Sequence, residues 1–316
     1  FVLPMLDRLS HSKSPHRKAV RSLILTPTRE LAVQIEEAIH TYGRFLKVDT
    51  LAIYGGVNIN GQLHTLRRGV DIIVATPGRL MDHMQRGSVD LRQVEVLVLD
   101  EADRMLDMGF IHDVRKIVAA LPHKRQTLLF SATISQEVKT LAANLLQTPE
   151  MIQVGQKNNP IETITQYVYA VEKTAKMDLL LHLLKEKQMY SVLIFSRTKH
   201  GADKISRRLK AAGVLSVSIH SDRTQKQRQH ALDSFKRGTY QVLVATDIAA
   251  RGIDVEGISH VINYDVPAYP EDYVHRIGRT GRAAATGDAL TFVSQDEDKH
   301  LRQIEKFIGR KLKFEN

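Results

Sequence analysis

Asp100-Glu101-Ala102-Asp103 carry the strongest chemical signal in the chain, because they directly follow the apolar run VEVLVL. A carboxylate at the exit of a buried strand is what a nucleotide-hydrolysing site needs to hold Mg²⁺ beside phosphates, and the next Glu can orient or deprotonate the attacking water. In that reading Asp100 is the metal carboxylate and Glu101 the base. The competing reading is an acidic first turn of the helix running on through Met105 to Phe110, where Asp and Glu favour the helix dipole. Adjacent acids at the exit of so apolar a strand point to chemistry.

A second constellation is His275-Arg-Ile-Gly-Arg-Thr-Gly-Arg282, with three arginines spaced three apart. On a helix Arg276, Arg279 and Arg282 would share a face, but Gly278 and Gly281 weaken the helix and allow a ligand close to the backbone. Guanidinium groups stabilise charge developing on a transferring phosphoryl group. A solvated basic helix face, or plain contact with RNA phosphates, is the plainer alternative.

These residues need strands that end beside one another. Short apolar runs alternate with amphipathic stretches along the chain: 23–25, 71–74, 96–99, 127–130, 192–195, 215–219, 241–244 and 260–263. Continuous rather than alternating apolar runs mean strands buried on both faces, hence βαβ units and parallel sheets. Polar clusters follow these runs: Thr26-Pro-Thr-Arg29, Thr76-Pro-Gly-Arg79, Asp100 to Asp103 and Ser131-Ala-Thr133, then Ser196-Arg-Thr198, His220-Ser-Asp222, Thr246-Asp247 and Tyr264-Asp265. Open parallel sheets bind ligands at the carboxyl ends of their strands, so two such edges are predicted. The rhythm lapses in GQKNNPIE and restarts at Ile164, which predicts a first domain over 1–153, a linker over 154–163 and a second domain over 164–308, with a short basic tail over 309–316. The halves echo each other, DIIVATPGR with QVLVATDIAAR and LILTPTRELA with LIFSRTKHGA, as two related domains do.

Composition narrows the partner. The chain has 316 residues, 43% of them apolar, enough for two cores and against disorder. No 18-residue apolar run is present, so no membrane span is predicted. There is no Cys, which removes disulfides, thiolate metal sites and cysteine nucleophiles and fits a reducing, cytoplasmic setting. Net charge is +10, and the natural counter-charge is a polyanion.

PTRELA, TPGR, DEAD, SAT, ARGID and HRIGRTGR stand in that order, with YGGVNIN and LVLDEADRMLDMGF between them. Over essentially its whole length the chain resembles the DEAD-box ATP-dependent RNA helicases, closest to their bacterial RhlE type. The resemblance implies two RecA-like α/β domains in tandem, ATP and Mg²⁺ as cofactors, and RNA as partner. By the same resemblance Asp100 holds Mg²⁺ through water and Glu101 positions the hydrolytic water. Asp103 ties to Ser131, Thr133 and His275, linking the nucleotide site to the RNA site. Arg279 and Arg282 reach the γ-phosphate and Asp254 the ribose. Arg29, Gly56, Thr76 and Arg79, with Thr246 from the second domain, grip the RNA backbone, and strand separation comes from closure of the two domains. Backbone grip agrees with a chain that has only 6% aromatics and no Trp to stack bases on, so little sequence preference is expected.

Two departures stand out. Ser221 occupies a position where the family usually has Gly. No G-x-x-x-x-G-K-[ST] occurs among the 316 residues, nor the glutamine-containing segment that reads adenine in the family. In relatives the phosphate loop ends shortly before the equivalent of FVLPML, so the first domain is expected to be truncated at its N-terminus and the fragment inactive. Lys13, in HSKSPHRK, offers no substitute, lying in a Ser-rich stretch without Gly. The basic end from Lys306 to Lys313 is expected to be a solvated helix end. A non-catalytic RNA-binding clamp or annealing module, and a DNA helicase of the same superfamily, remain open at this point.

Overall fold

A computed structural model describes residues 1–11, 19–153, 164–187, 189–250, 255, 257–281 and 287–315. The chain divides into two units, Phe1–Ile152 and Gln153–Asn316. The expected linker 154–163, Lys13, Asp254 and Arg282 lie outside the described residues.

The first unit runs α1 (Val2–His11), β1 (Ser22–Leu25), α2 (Arg29–Tyr42), β2 (Thr50–Ile53), α3 (Ile59–Arg68), β3 (Ile72–Ala75), α4 (Pro77–Gln85), β4 (Val96–Leu99), α5 (Ala102–Asp107), α6 (Ile111–Ala119), β5 (Gln126–Leu129) and α7 (Gln136–Leu145). Its sheet has the order β2-β3-β1-β4-β5 and is parallel throughout. Register pairs Leu25 with both Ala75 and Leu99, so these strands end level with one another. Alternate residues of one strand enter different cores. Leu23 and Leu25 pack with Ile73, Leu97, Leu99, Leu80 and Ile117, whereas Ile24 packs with Val74, Val98, Met5, Leu31 and Ile35. Both faces are therefore covered by helices, and that is why the strands read as unbroken apolar runs.

The second unit runs β6 (Ile164–Ala170), α8 (Lys176–Glu186), β7 (Val192–Phe195), α9 (Lys199–Ala211), β8 (Ser216–Ile219), α10 (Gln225–Lys236), β9 (Val242–Ala245), α11 (Asp247–Ala250), β10 (His260–Asn263), α12 (Pro270–Ile277), β11 (Gly287–Val293), α13 (Asp298–Ile308) and β12 (Lys313–Glu315). Its parallel sheet is ordered β12-β6-β11-β10-β7-β9-β8. Val192 and Ile194 face one core with Leu180 and Leu209, and Leu193 and Phe195 the other with Leu232 and Phe235.

All eight strands expected from apolar runs are present, within a residue or so of their bounds. The four not read from such runs have physical reasons. Strand β2 is an edge strand with two half-exposed residues, and β6 alternates buried with exposed positions. β11 is almost wholly buried, but Gly287, Asp288 and Thr291 interrupt its apolar run. The predicted tail over 309–316 needs correcting: Lys313–Glu315 forms β12, paired along β6, with Lys313 Nζ lying 5.6 Å from the Tyr167 ring centre. Lys311 Nζ bonds Glu305 at 2.7 Å.

A buried cation fastens the carboxyl edge of the second sheet. Lys176 is 2% exposed and donates to Glu297 Oε2 (2.5 Å), Tyr264 O (2.8 Å) and Phe292 O (3.2 Å). Glu297 also accepts from Val266 N, Ser294 Oγ and Arg197 Nη2. Removing one member of such a pair strands the other charge in a poorly solvated place. Lys176→Met is expected to cost about 3 kcal/mol in denaturant unfolding, and the double change with Glu297→Gln less than the sum of the single changes.

Candidate nucleotide and nucleic-acid site

At the carboxyl edge of the first sheet every strand hands over to a short polar turn. Thr26 Oγ1 donates to Thr28 O (3.0 Å), and Thr28 Oγ1 accepts from Leu31 N (3.3 Å), capping α2 so that Arg29 is its first residue. After β2 the chain turns through Gly55 and Gly56. Gly56 has φ +80°, so this turn needs glycine for its backbone, and a Cβ there would lie 2.7 Å from Arg29 Cζ, which shows how closely the guanidinium packs against it. A Cβ at Gly55 would stand 3.7 Å from Arg29 Nη2 and 3.9 Å from Arg79 Nη2, which places both guanidiniums around the glycine pair. Thr76 is buried as the N-cap of α4, with Pro77 beginning the helix. Arg79 donates to Val57 O (3.3 and 3.2 Å) and Gln62 Oε1 (3.2 Å). Arg29, Gly56, Thr76 and Arg79 thus meet at one edge.

Beside them, β4 ends in the acidic cluster. Asp100 N donates to Leu25 O, and Asp100 Oδ1 accepts from Glu101 N (3.0 Å). Burial, then the neighbouring Glu101 carboxylate, pushes the Asp100 carboxyl up to about 6. Glu101 has φ 50° and ψ 53°, a left-handed conformation that costs a non-glycine residue about 1 kcal/mol or more and that collects at functional sites. Asp103 faces the other way and is satisfied: Oδ2 accepts from Thr133 N and Oγ1, both at 2.9 Å, and Oδ1 from Arg104 N. Ser131 Oγ donates to Thr133 O (2.6 Å), so it reaches Asp103 only through Thr133. This stitches the end of β4 to the end of β5.

In the second unit, Thr246 follows β9, its N–H on Ile219 O (3.4 Å). Asp247 is gripped by Arg276 through Nε (2.5 Å) and Nη2 (2.8 Å). Arg276 is 2% exposed, donates further to Asn263 Oδ1 and Asp265 O, and lies 5.0 Å from the Phe195 ring centre. The shared basic helix face is therefore not what forms: α12 ends at Ile277 and Arg276 points inward, whereas Arg279 follows Gly278 and donates Nε to His275 O (3.3 Å). Only the glycine-broken helix was legible beforehand; the inward turn of Arg276 depends on Asp247, distant in sequence.

Sequence reasoning also missed Asp203, which follows no strand. Burial alone would raise its carboxyl, yet hydrogen bonds from Ser218 and His220 and the nearby Arg223 hold it at about 2. Ser221 is exposed and donates to Asp222 Oδ1 at 3.4 Å. Gln62 and His83, buried beside Arg79, were likewise missed, because neither ends a strand.

Residues 1–141 match the family model described as DEAD/DEAH box helicase, and residues 175–284 the helicase conserved C-terminal domain. The DEAD-box ATP-dependent RNA helicase CshA of Bacillus cereus is 43% identical over 312 residues, covering 99% of this chain and 59% of that protein. Among solved structures, S. cerevisiae Dbp5 bound to RNA and ADP BeF3 superposes with a TM-score of 0.87 at 32% identity, covering all of this chain and 81% of that one. The chain belongs to the DEAD-box helicase family. Its two units accordingly match RecA-like domains. Mss116p bound to ssRNA and AMP-PNP gives a TM-score of 0.89 at 30% identity, over 100% of this chain and 68% of that one. The chain spans less than two thirds of the length of the CshA relatives it matches, 59% in the B. cereus protein. No helix among the described residues is long and apolar enough to cross a membrane.

The raised Asp100 carboxyl makes a stability prediction. A carboxyl at about 6 in the fold, against an ordinary 3.8, favours its protonated form, so its contribution is present below about pH 4 and lost as pH rises through 6. Asp100→Asn should therefore leave the metal-free chain about 2 kcal/mol more stable than wild type at pH 8, with the gap closing by pH 4. Urea unfolding at both pH values in EDTA measures it.

Proposed function

We propose that the chain is the two-domain engine of an ATP-dependent RNA helicase, which separates RNA duplexes locally when ATP and RNA draw the units together. The observation that carries this reading is the continuity of one sheet edge, where the Asp100, Glu101 and Asp103 cluster sits beside the Arg29, Gly56 and Arg79 turn. The wording YGGVNIN supports placing it near the RhlE type, and the absence of Cys supports a cytoplasmic setting.

The residues fit Mg²⁺. Asp100 is a hard oxygen donor whose burial and acidic neighbour make a cation welcome. That suits an ion held by one carboxylate, water and substrate phosphates. When bound, Mg²⁺ neutralises and aligns the phosphates of ATP. Asp100 would hold the ion, and Glu101 would orient the attacking water and take its proton. Arg279 and Arg282 meet the γ-phosphate as charge develops, and Asp254 binds the ribose. Asp103, Ser131, Thr133 and His275 relay closure between nucleotide and RNA. Arg29, Gly56, Thr76, Arg79 and Thr246 hold RNA phosphates, so affinity has little sequence dependence and falls with salt.

If Glu101 is the base, Glu101→Gln keeps ATP and RNA bound while turnover falls at least about 100-fold. Arg279→Ala should lower kcat far more than ATP affinity, because its contact belongs to the reacting state; steady-state kinetics with RNA and with DNA checks both and separates a clamp or a DNA enzyme from this reading.

A further inference from the structure

Arg79 is held by two side chains that no motif singles out. Gln62, 6% exposed, lies on α3 beyond the Gly55-Gly56 turn, and His83, fully buried, lies one helical turn after Arg79 on α4. A guanidinium can only donate, so the Gln62 atom 3.2 Å from Arg79 Nη1 is the amide oxygen. That leaves Gln62 Nε2 to donate to Tyr54 O at 3.1 Å. The same amide oxygen lies 3.0 Å from His83 Nε2, which must therefore carry a hydrogen. In the neutral ring Nδ1 is then an acceptor 2.8 Å from Ser88 Oγ, whose one hydrogen is shared with His83 O at 3.0 Å. Burial, then Arg79, lowers the His83 pKa and favours that neutral ring. One obligate donor thus fixes an amide orientation and a tautomer in succession.

Two members of this chain bond the turn that carries the glycine pair directly, and His83 acts on it through Gln62. Arg79 bonds Val57 O just after Gly56, and Gln62 bonds Tyr54 O just before Gly55. The turn is clasped from both ends, and an arginine side chain that would otherwise sample many rotamers is already ordered.

We propose that Gln62 and His83 are positioning residues for Arg79, holding its guanidinium and the Tyr54–Val57 turn in the arrangement that receives an RNA phosphate. The proposal rests on the reading of Arg79 and Gly56 as RNA contacts. Preorganisation of this kind raises affinity by removing an ordering cost from the binding step. Without Gln62, Arg79 keeps only Val57 O, and the His83 N–H and Tyr54 O are both left without this partner.

The test is fluorescence anisotropy of a labelled oligouridine on the intact protein, with thermal melting run in parallel. Gln62→Leu and His83→Leu should each weaken RNA binding on the order of 3- to 10-fold. His83→Gln, whose amide can return an N–H toward Gln62, should recover most of the loss even if His83→Leu folds poorly. In an Arg79→Ala background Gln62→Leu should add less than about 2-fold, since the group it positions is gone. Lowered melting temperature with unchanged RNA affinity, or effects that multiply with Arg79→Ala, would overturn the positioning role. An Arg79→Ala protein that binds RNA as tightly as wild type would instead defeat the RNA-contact reading and remove the role with it.

Discussion

The structure depends on one constraint: its central strands are only four residues long and buried on both faces. Such a strand is dominated by apolar side chains along its length, so most of the hydrogen-bonding groups fall where it ends. Leu25, Ala75 and Leu99 share one register, which puts Thr26, Thr76 and Asp100 at the same level of one edge. The second sheet repeats this with Phe195, Ala245 and Asn263, and hence with Ser196, Thr246 and Tyr264. Parallel strands make all these ends face one way. The site is a consequence of packing before it is one of chemistry.

What distinguishes the proposed chemical centre from the rest of the edge is how charge is compensated. Asp103, Asp203, Asp247 and Glu297 each have close donors from the protein itself, in Thr133, Arg223, Arg276 and Lys176 respectively. Those groups lock turns in place and are already satisfied. Among the described residues the Asp100 carboxylate accepts only the neighbouring Glu101 N–H, and burial beside a second carboxylate raises its proton affinity. A group whose charge the fold does not balance is suited to a ligand that brings the opposite charge.

Much of this was legible in the sequence because the information is local. Val96 to Leu99 followed by Asp100 announces both a two-sided strand and the residue at its exit, and the order of motifs identified the family. The glycines 278 and 281 correctly signalled a helix that stops. What escaped reading depends on residues far apart in the chain. Arg276 looks like its neighbours Arg279 and Arg282 until Asp247, 29 positions earlier, draws it inward. Gln62 and His83 look like ordinary helix residues until α3 and α4 bring them to one amide. The polar tail became β12 because β6 presents a free edge, a property of the sheet order and not of Lys313 to Glu315.

If Mg²⁺ and nucleotide are held at Asp100, their binding favours its ionised carboxylate, so near pH 6 binding displaces part of a proton from it. Calorimetry of Mg-ATP binding to the intact protein at pH 6, in two buffers of different ionisation enthalpy, counts the protons released. Comparison with Asp100→Asn removes those that come from ATP itself. With the Asp100 carboxyl at about 6, wild type should release about half a proton more than the variant at pH 6 and no more than the variant at pH 8. Equal proton release by the two proteins at both pH values would contradict the account.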